Sequence, residues 1–115
     1  MAIVVIAPQK IVKAGLAPAF TGSLSTGNTY RVNNDGKTAL HFKKTGAGAC
    51  TVTIDTPRSV AGLAIAQHTV NVPATTGDVM VAGLLPGVFN QVGAGYVEFT
   101  LSEVTGLTVA ALQLE

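Results

Sequence analysis

Apolar and polar positions alternate with a period of two along most of the chain, the signature of half-buried strands. In residues 38–43, Leu40 and Phe42 fall on one face, and His41 and Lys43 on the other. In residues 50–55, Cys50, Val52 and Ile54 point inward while Thr51, Thr53 and Asp55 point out. In residues 96–101, Val97, Phe99 and Leu101 oppose Tyr96, Glu98 and Thr100. Shorter or less regular runs at 28–32, 63–66, 69–72 and 78–82 read as further strands. The run 107–114 carries apolar groups on both faces, as expected of a central strand or one packed on a neighbour. Frequent Thr suits pleated, half-buried surfaces. No helical period of useful length and no internal repeat occurs.

Turn chemistry separates these runs. Asn33-Asn34-Asp35-Gly36 is the strongest signal and predicts a tight hairpin, because Asn and Gly tolerate positive φ. Residues 45–49, 73–78 and 91–95 are the other turns. Short strands with turns at this spacing predict an all-β, single-domain antiparallel β-sandwich of jelly-roll or Greek-key type. Strand order is left open, because both topologies share these local signals.

Two stretches do not read as sheet core. Residues 1–27 mix apolar runs with Pro8, Gly15, Pro18, Gly22 and Gly27. They are expected to form an extended N-terminal arm with the first strand or strands, contacting a partner, ahead of a sandwich domain at 28–115. The loop 83–90 places Leu84, Leu85, Val88 and Phe89 among Gly and Pro. Phe89 is expected to plug an open end of the sandwich.

Charge changes the picture. Only 11% of residues are charged and 48% are hydrophobic, against roughly 25% charged for an ordinary domain. So little charge leaves part of the surface to be covered by another protein. Lys and Arg stop at Arg58: residues 1–58 carry seven basic and two acidic side chains, the remainder none and four. Complementary halves favour head-to-tail contact between copies if they form poles. The N-terminus lacks the basic and long apolar regions of a signal peptide. No run approaches the roughly 20 apolar residues of a membrane span. A cytoplasmically made protein without membrane attachment is expected.

Catalytic and metal chemistry find little footing. His41 and His68 have no second-ligand spacing; the first is expected on a solvated face and the second in a turn. Cys50 falls with the inward set, where a thiol behaves as a small hydrophobe. Carboxylates are scattered singly. Gly46-Ala47-Gly48 lacks the helix and the Lys of a phosphate loop. Lys37, Lys43, Lys44 and Arg58 form a modest basic cluster, suited to pairing with an acidic neighbour rather than to nucleic acid. No enzyme activity, cofactor, metal, nucleic acid or small-molecule substrate is expected.

An ordered set of motifs spans residues 30–114. It comprises Asn33–Ala47 with Asp35-Gly36-Lys37, Val52-Thr53-Ile54-Asp55-Thr56-Pro57, Val60-Ala61-Gly62-Leu63-Ala64, and Val70-Asn71-Val72-Pro73-Ala74. A Leu-Pro-x-x-Phe-Asn loop at 85–90 and the run Val104–Ala110 complete it. The set resembles the small β-sandwich proteins of tailed-phage and prophage structural modules, several of which are capsid decoration, or cement, proteins. The resemblance implies a virion protein on the capsid exterior. It implies a homotrimer at local three-fold positions that clamps the major capsid protein, and no catalytic residues. The positions expected to touch the capsid or another partner are Ile3, Val4, Val5, Ile6, Ile11 and Val12 of the arm, with Lys10 and Lys13 meeting acidic groups. Leu84 and Leu85 of the apolar loop join them. A tail or head–tail joining component, or a surface adhesin module, is the alternative; the poverty in aromatic residues disfavours the adhesin.

Overall fold

The computed structural model describes residues 3–57, 59–64, 66–84 and 86–114. The strands are β1 (Ile3–Ile6), β2 (Gln9–Ile11), β3 (Thr29–Asn33), β4 (Thr38–Lys44), β5 (Cys50–Ile54), β6 (Ser59–Val60), β7 (Leu63–Ala64), β8 (His68–Val72), β9 (Gly77–Val81), β10 (Tyr96–Leu101) and β11 (Leu107–Leu114). One helical turn, α1 (Pro86–Phe89), precedes β10. They build two packed sheets, ordered β1-β3-β10-β5-β8 (sheet A) and β2-β11-β4-β9 (sheet B), with β6-β7 as a separate hairpin.

The alternation read from the sequence becomes the core. Leu40 and Phe42 of β4, Cys50, Val52 and Ile54 of β5, and Val97, Phe99 and Leu101 of β10 are all buried. Phe99 sits at the centre, stacked on Tyr30 at 5.6 Å and edge-on to Phe42 at 5.7 Å, offset and perpendicular arrangements that ring quadrupoles favour. The strand β11 lies between β2 and β4, and both of its apolar faces are covered: Val109 and Ala111 enter the core, and Ala110 and Leu112 are buried on the other side.

Three expectations are corrected. The sheets are mixed rather than purely antiparallel, because β1 runs parallel to β3 and β2 parallel to β11. Parallel neighbours need a long return path, and residues 12–28 supply one between β2 and β3. The segment expected as an extended arm instead lies along the body of the sandwich, giving an edge strand to sheet A and then one to sheet B. Ile6 is buried in the core, and the Gln9 carboxamide exchanges hydrogen bonds with the Ala19 backbone, 2.7 and 2.8 Å, closing the loop that follows. Finally, Asn33–Gly36 is no hairpin within a sheet. It carries the chain from β3 in sheet A to β4 in sheet B.

Each end of the sandwich is held by a polar device. At one end Asn34 donates to Leu84 O at 2.6 Å and to Asn90 Oδ1 at 2.8 Å, and its own Oδ1 accepts the Gly36 N–H at 3.0 Å. Asn90 returns a bond to Asn34 O at 3.0 Å. At the other end Gly46 and Gly106 let two loops touch. A methyl on Gly46 would lie 2.3 Å from Thr105 O, and one on Gly106 2.5 Å from Gly46 N. The Lys44 side chain, fully buried, donates to Thr105 O there, with Glu103 at 3.9 Å. The cluster expected from Lys37, Lys43, Lys44 and Arg58 is therefore broken: Lys44 belongs to the interior, and Arg58 lies outside the described residues.

Candidate functional site

The strand β1 is built from four β-branched residues, stiff side chains that favour extended backbone. Its pairing with β3 (Ile3↔Thr29, Val5↔Arg31) turns Val4 and Ile6 inward and Ile3 and Val5 outward. Ile3 and Val5 remain 52% and 66% exposed, and the far side of the strand pairs with no other strand among the described residues. Such an edge normally carries Lys, Pro or a bulge that discourages pairing with another chain. The edge strand β2 follows that practice, with Lys10 inside it and Pro8 just before; β8 ends at Pro73. The β1 strand has none of these.

The same segment continues with exposed Lys10, Ile11, Val12 and Lys13. Of the seven large hydrophobic residues left exposed among those described, four (Ile3, Val5, Ile11, Val12) come from residues 3–12, so the exposed apolar surface described is concentrated along one chain segment. The expected contact positions thus separate. Ile3, Val5, Lys10, Ile11, Val12 and Lys13 present themselves outward, and Val4 is half-buried. Two expectations fail: Ile6 and Leu84 are buried, the first by its inward register position and the second beneath the Asn34–Asn90 pair, which holds its carbonyl. Leu85 lies outside the described residues.

Beside Ile11 an apolar groove of about 240 Å³ opens between Ala39, Met80, Ala82 and Leu112. Met80, 60% exposed, belongs to this surface. It is the outward residue of the alternating run at 78–82, so its position was available in the pattern. Exposed Leu63 and Val92 were also missed. Leu63 stands on the β6–β7 hairpin, whose turn holds Ala61 and Gly62 at positive φ, 52° and 80°.

The outer face of sheet A is different in kind. A cleft of about 250 Å³ is lined by Thr29, Thr53, Asp55, Gln67, Glu98 and Thr100. The β5–β10 pairing brings Asp55 beside Glu98, where the Asp55 N–H donates to Glu98 O at 2.9 Å. Like charges across strands repel, and each carboxylate has its own remedy. Glu98 accepts from Arg31 Nε at 2.6 Å, and the Arg31 guanidinium lies 4.5 Å above the Tyr96 ring. Asp55 accepts from the neutral amides of Gln67 (3.0 Å) and Gln91 (2.7 Å), and pairs with no cation among the described residues.

His41 is less open than expected: Phe20 rests edge-on against it at 5.2 Å, and Asp78 bonds its Nε2 at 2.5 Å. That bond, first among the causes, holds the Asp78 carboxyl below its ordinary range. His68 opens β8 rather than sitting in a turn and meets Phe89 edge-on at 5.9 Å. Phe89 itself is half-buried at that end of the sandwich. Cys50 is a buried free thiol. Among the described residues no group of three or more His, Cys, Asp or Glu side chains converges to hold a metal ion. Protein-family models, curated proteins and solved structures return no match to this chain.

Proposed function

We propose that this protein is a virion structural protein that binds the outside of an assembled tailed-phage capsid and stabilises it, as a homotrimer at local three-fold positions. The observation that carries the reading is the strip of residues 3–12, where Ile3, Val5, Ile11 and Val12 stand exposed along one edge of a charge-poor sandwich. A monomer gains nothing from such a strip, whereas a partner that covers it removes apolar surface from water. The ordered motifs at 30–114 support the major capsid protein as the partner of Ile3 and Val5 in this strip. The mechanism is mass action: a ligand that binds only the assembled shell adds its binding free energy to the shell's stability.

The test must leave the fold intact. Removing residues 1–13 would delete two edge strands and the buried Ile6, so the double variant Ile3→Thr/Val5→Thr is preferable. It keeps β-branched residues and replaces an exposed ethyl and an exposed methyl with hydroxyls. The experiment is co-sedimentation with shells assembled from the major capsid protein of the same genome. Wild type should pellet with shells and the variant should bind at least about tenfold more weakly, the loss of roughly 1.4 kcal/mol. Wild-type protein that stays in the supernatant would overturn the reading.

A further inference from the structure

The two sides of the molecule carry charges of opposite sign that meet no counter-ion among the described residues. On the edge of sheet B, Lys10 and Lys13 make no ion pair with any described residue, whereas Lys37 and Lys43 stand near Asp35 and Asp78 and help hold those carboxyls down. On sheet A, Asp55 lines the cleft without a cationic partner among the described residues. Its two oxygens are fixed by Gln67 and Gln91, which orient the carboxylate without neutralising it. These groups cannot meet within one molecule. Lys10 lies on β2, at the end of one sheet. Asp55 follows β5, which lies toward the opposite end of the other sheet, next to β8.

Each charge is set among exposed apolar residues. Ile11 and Val12, 37% and 39% exposed, lie between Lys10 and Lys13 in the chain. The hairpin carrying Leu63, 73% exposed, springs from the chain between Asp55 and Gln67, and Val92, 69% exposed, follows Gln91. Both stretches thus combine exposed apolar area with a charge that meets no counter-ion among the described residues.

We propose that the 10–13 edge of one copy docks on the Asp55 cleft of the next, with Lys10 and Lys13 supplying a cation to Asp55. The two patches differ, so the contact is heterologous and repeats head to tail, closing into a ring where the rotation allows. Opposite charges fix which patch meets which and suppress the like-to-like contact. This inference rests on the homo-oligomer part of the reading above and assigns its surfaces.

The test is solution mass by light scattering at low and high salt, with circular dichroism to verify folding. Wild type should be oligomeric at low salt and dissociate as salt screens the contact. Asp55→Lys should raise the dissociation constant about 100-fold, as should Lys10→Glu/Lys13→Glu. The triple variant that combines all three reverses every sign and should regain the oligomer. A wild-type protein monomeric at low salt, an oligomer indifferent to Asp55→Lys, or a triple variant no better than its parents would each overturn the proposal. Shell co-sedimentation of the same samples separates the two readings: a salt-indifferent monomer that still pellets with shells defeats only this one.

Discussion

Replacing Asn34 with Ala probes the polar end of the sandwich. Asn34 is 5% exposed and takes part in three side-chain hydrogen bonds, to Leu84 O, to Asn90 Oδ1 and from the Gly36 N–H. Two of them tie the β3–β4 crossover to the loop that enters β10, across 50 and 56 positions of the chain. At about 1 kcal/mol per net hydrogen bond, the loss is about 3 kcal/mol. The Leu84 carbonyl, left without its Asn34 donor in a buried place, keeps the cost from falling much lower. Against a typical total stability of about 5–15 kcal/mol, that is a large fraction. It corresponds to a fall in melting temperature of about 12 °C for a domain of this size. Urea denaturation followed by circular dichroism, at high salt and low protein concentration to suppress self-association, measures the change. Asn34→Asp should be worse still at neutral pH, since it turns an acceptor toward two acceptors. A double-mutant cycle with Asn90→Ala should show coupling of about 1 kcal/mol. An Asn34→Ala variant within about 0.5 kcal/mol of wild type, the range of an ordinary surface change, would refute this account of the end cap.

Further predictions address other parts of the molecule. Gly106→Ala should destabilise strongly, because it combines a positive φ of 66° with a methyl 2.5 Å from Gly46 N; Gly93→Ala, at φ 75° with open space, should cost only about 1 kcal/mol, and equal costs in urea melts would contradict the packing argument. Phe99→Ala should cost about 3–5 kcal/mol, as expected for a buried ring that leaves a cavity between Tyr30 and Phe42. Three carboxyls are held below their ordinary range: Asp35 by the Lys37 backbone N–H, Asp78 by the His41 hydrogen bond, and Glu103 by Thr105. Folded values below the unfolded ones mean that the unfolded chain takes up protons first as pH falls. The stabilisation is therefore complete above about pH 5, once the unfolded carboxyls are ionised, and lost as pH drops through the depressed values. Melting temperature should decline between pH 5 and 2; a flat profile would refute the linkage. Cys50, buried in the core, should react with a thiol reagent only as fast as the protein unfolds, and prompt labelling in native buffer would contradict its position.

The order of apolar and polar residues was enough for the sheet class and for the inner faces of the main strands. A side-chain period of two is a property of the extended backbone alone, so Phe42, Val52 and Phe99 could be placed inside before any neighbour was known. The same parity puts Lys44 on the inner face with Leu40 and Phe42. Only the structure shows how that is tolerated, by supplying the Thr105 carbonyl from a loop 61 residues away. The turn at Asn33–Gly36 was legible as a turn, but local chemistry does not say whether the next strand joins the same sheet or the facing one. Partner choice depends on which surfaces bury the most apolar area together. The apolar opening segment was legible as a surface in need of cover. Its division into an exposed Ile3 and Val5 and a buried Ile6 was decided by the register with β3. Asp55 gave no signal as a lone carboxylate in the chain. It became a candidate contact only when tertiary pairing set it beside Glu98 and held it with two uncharged amides, on the side of the molecule away from Lys10 and Lys13. Alternation is local and survives in the sequence, whereas register, sheet order and the meeting of distant charges are settled by long-range packing that no short window of residues contains.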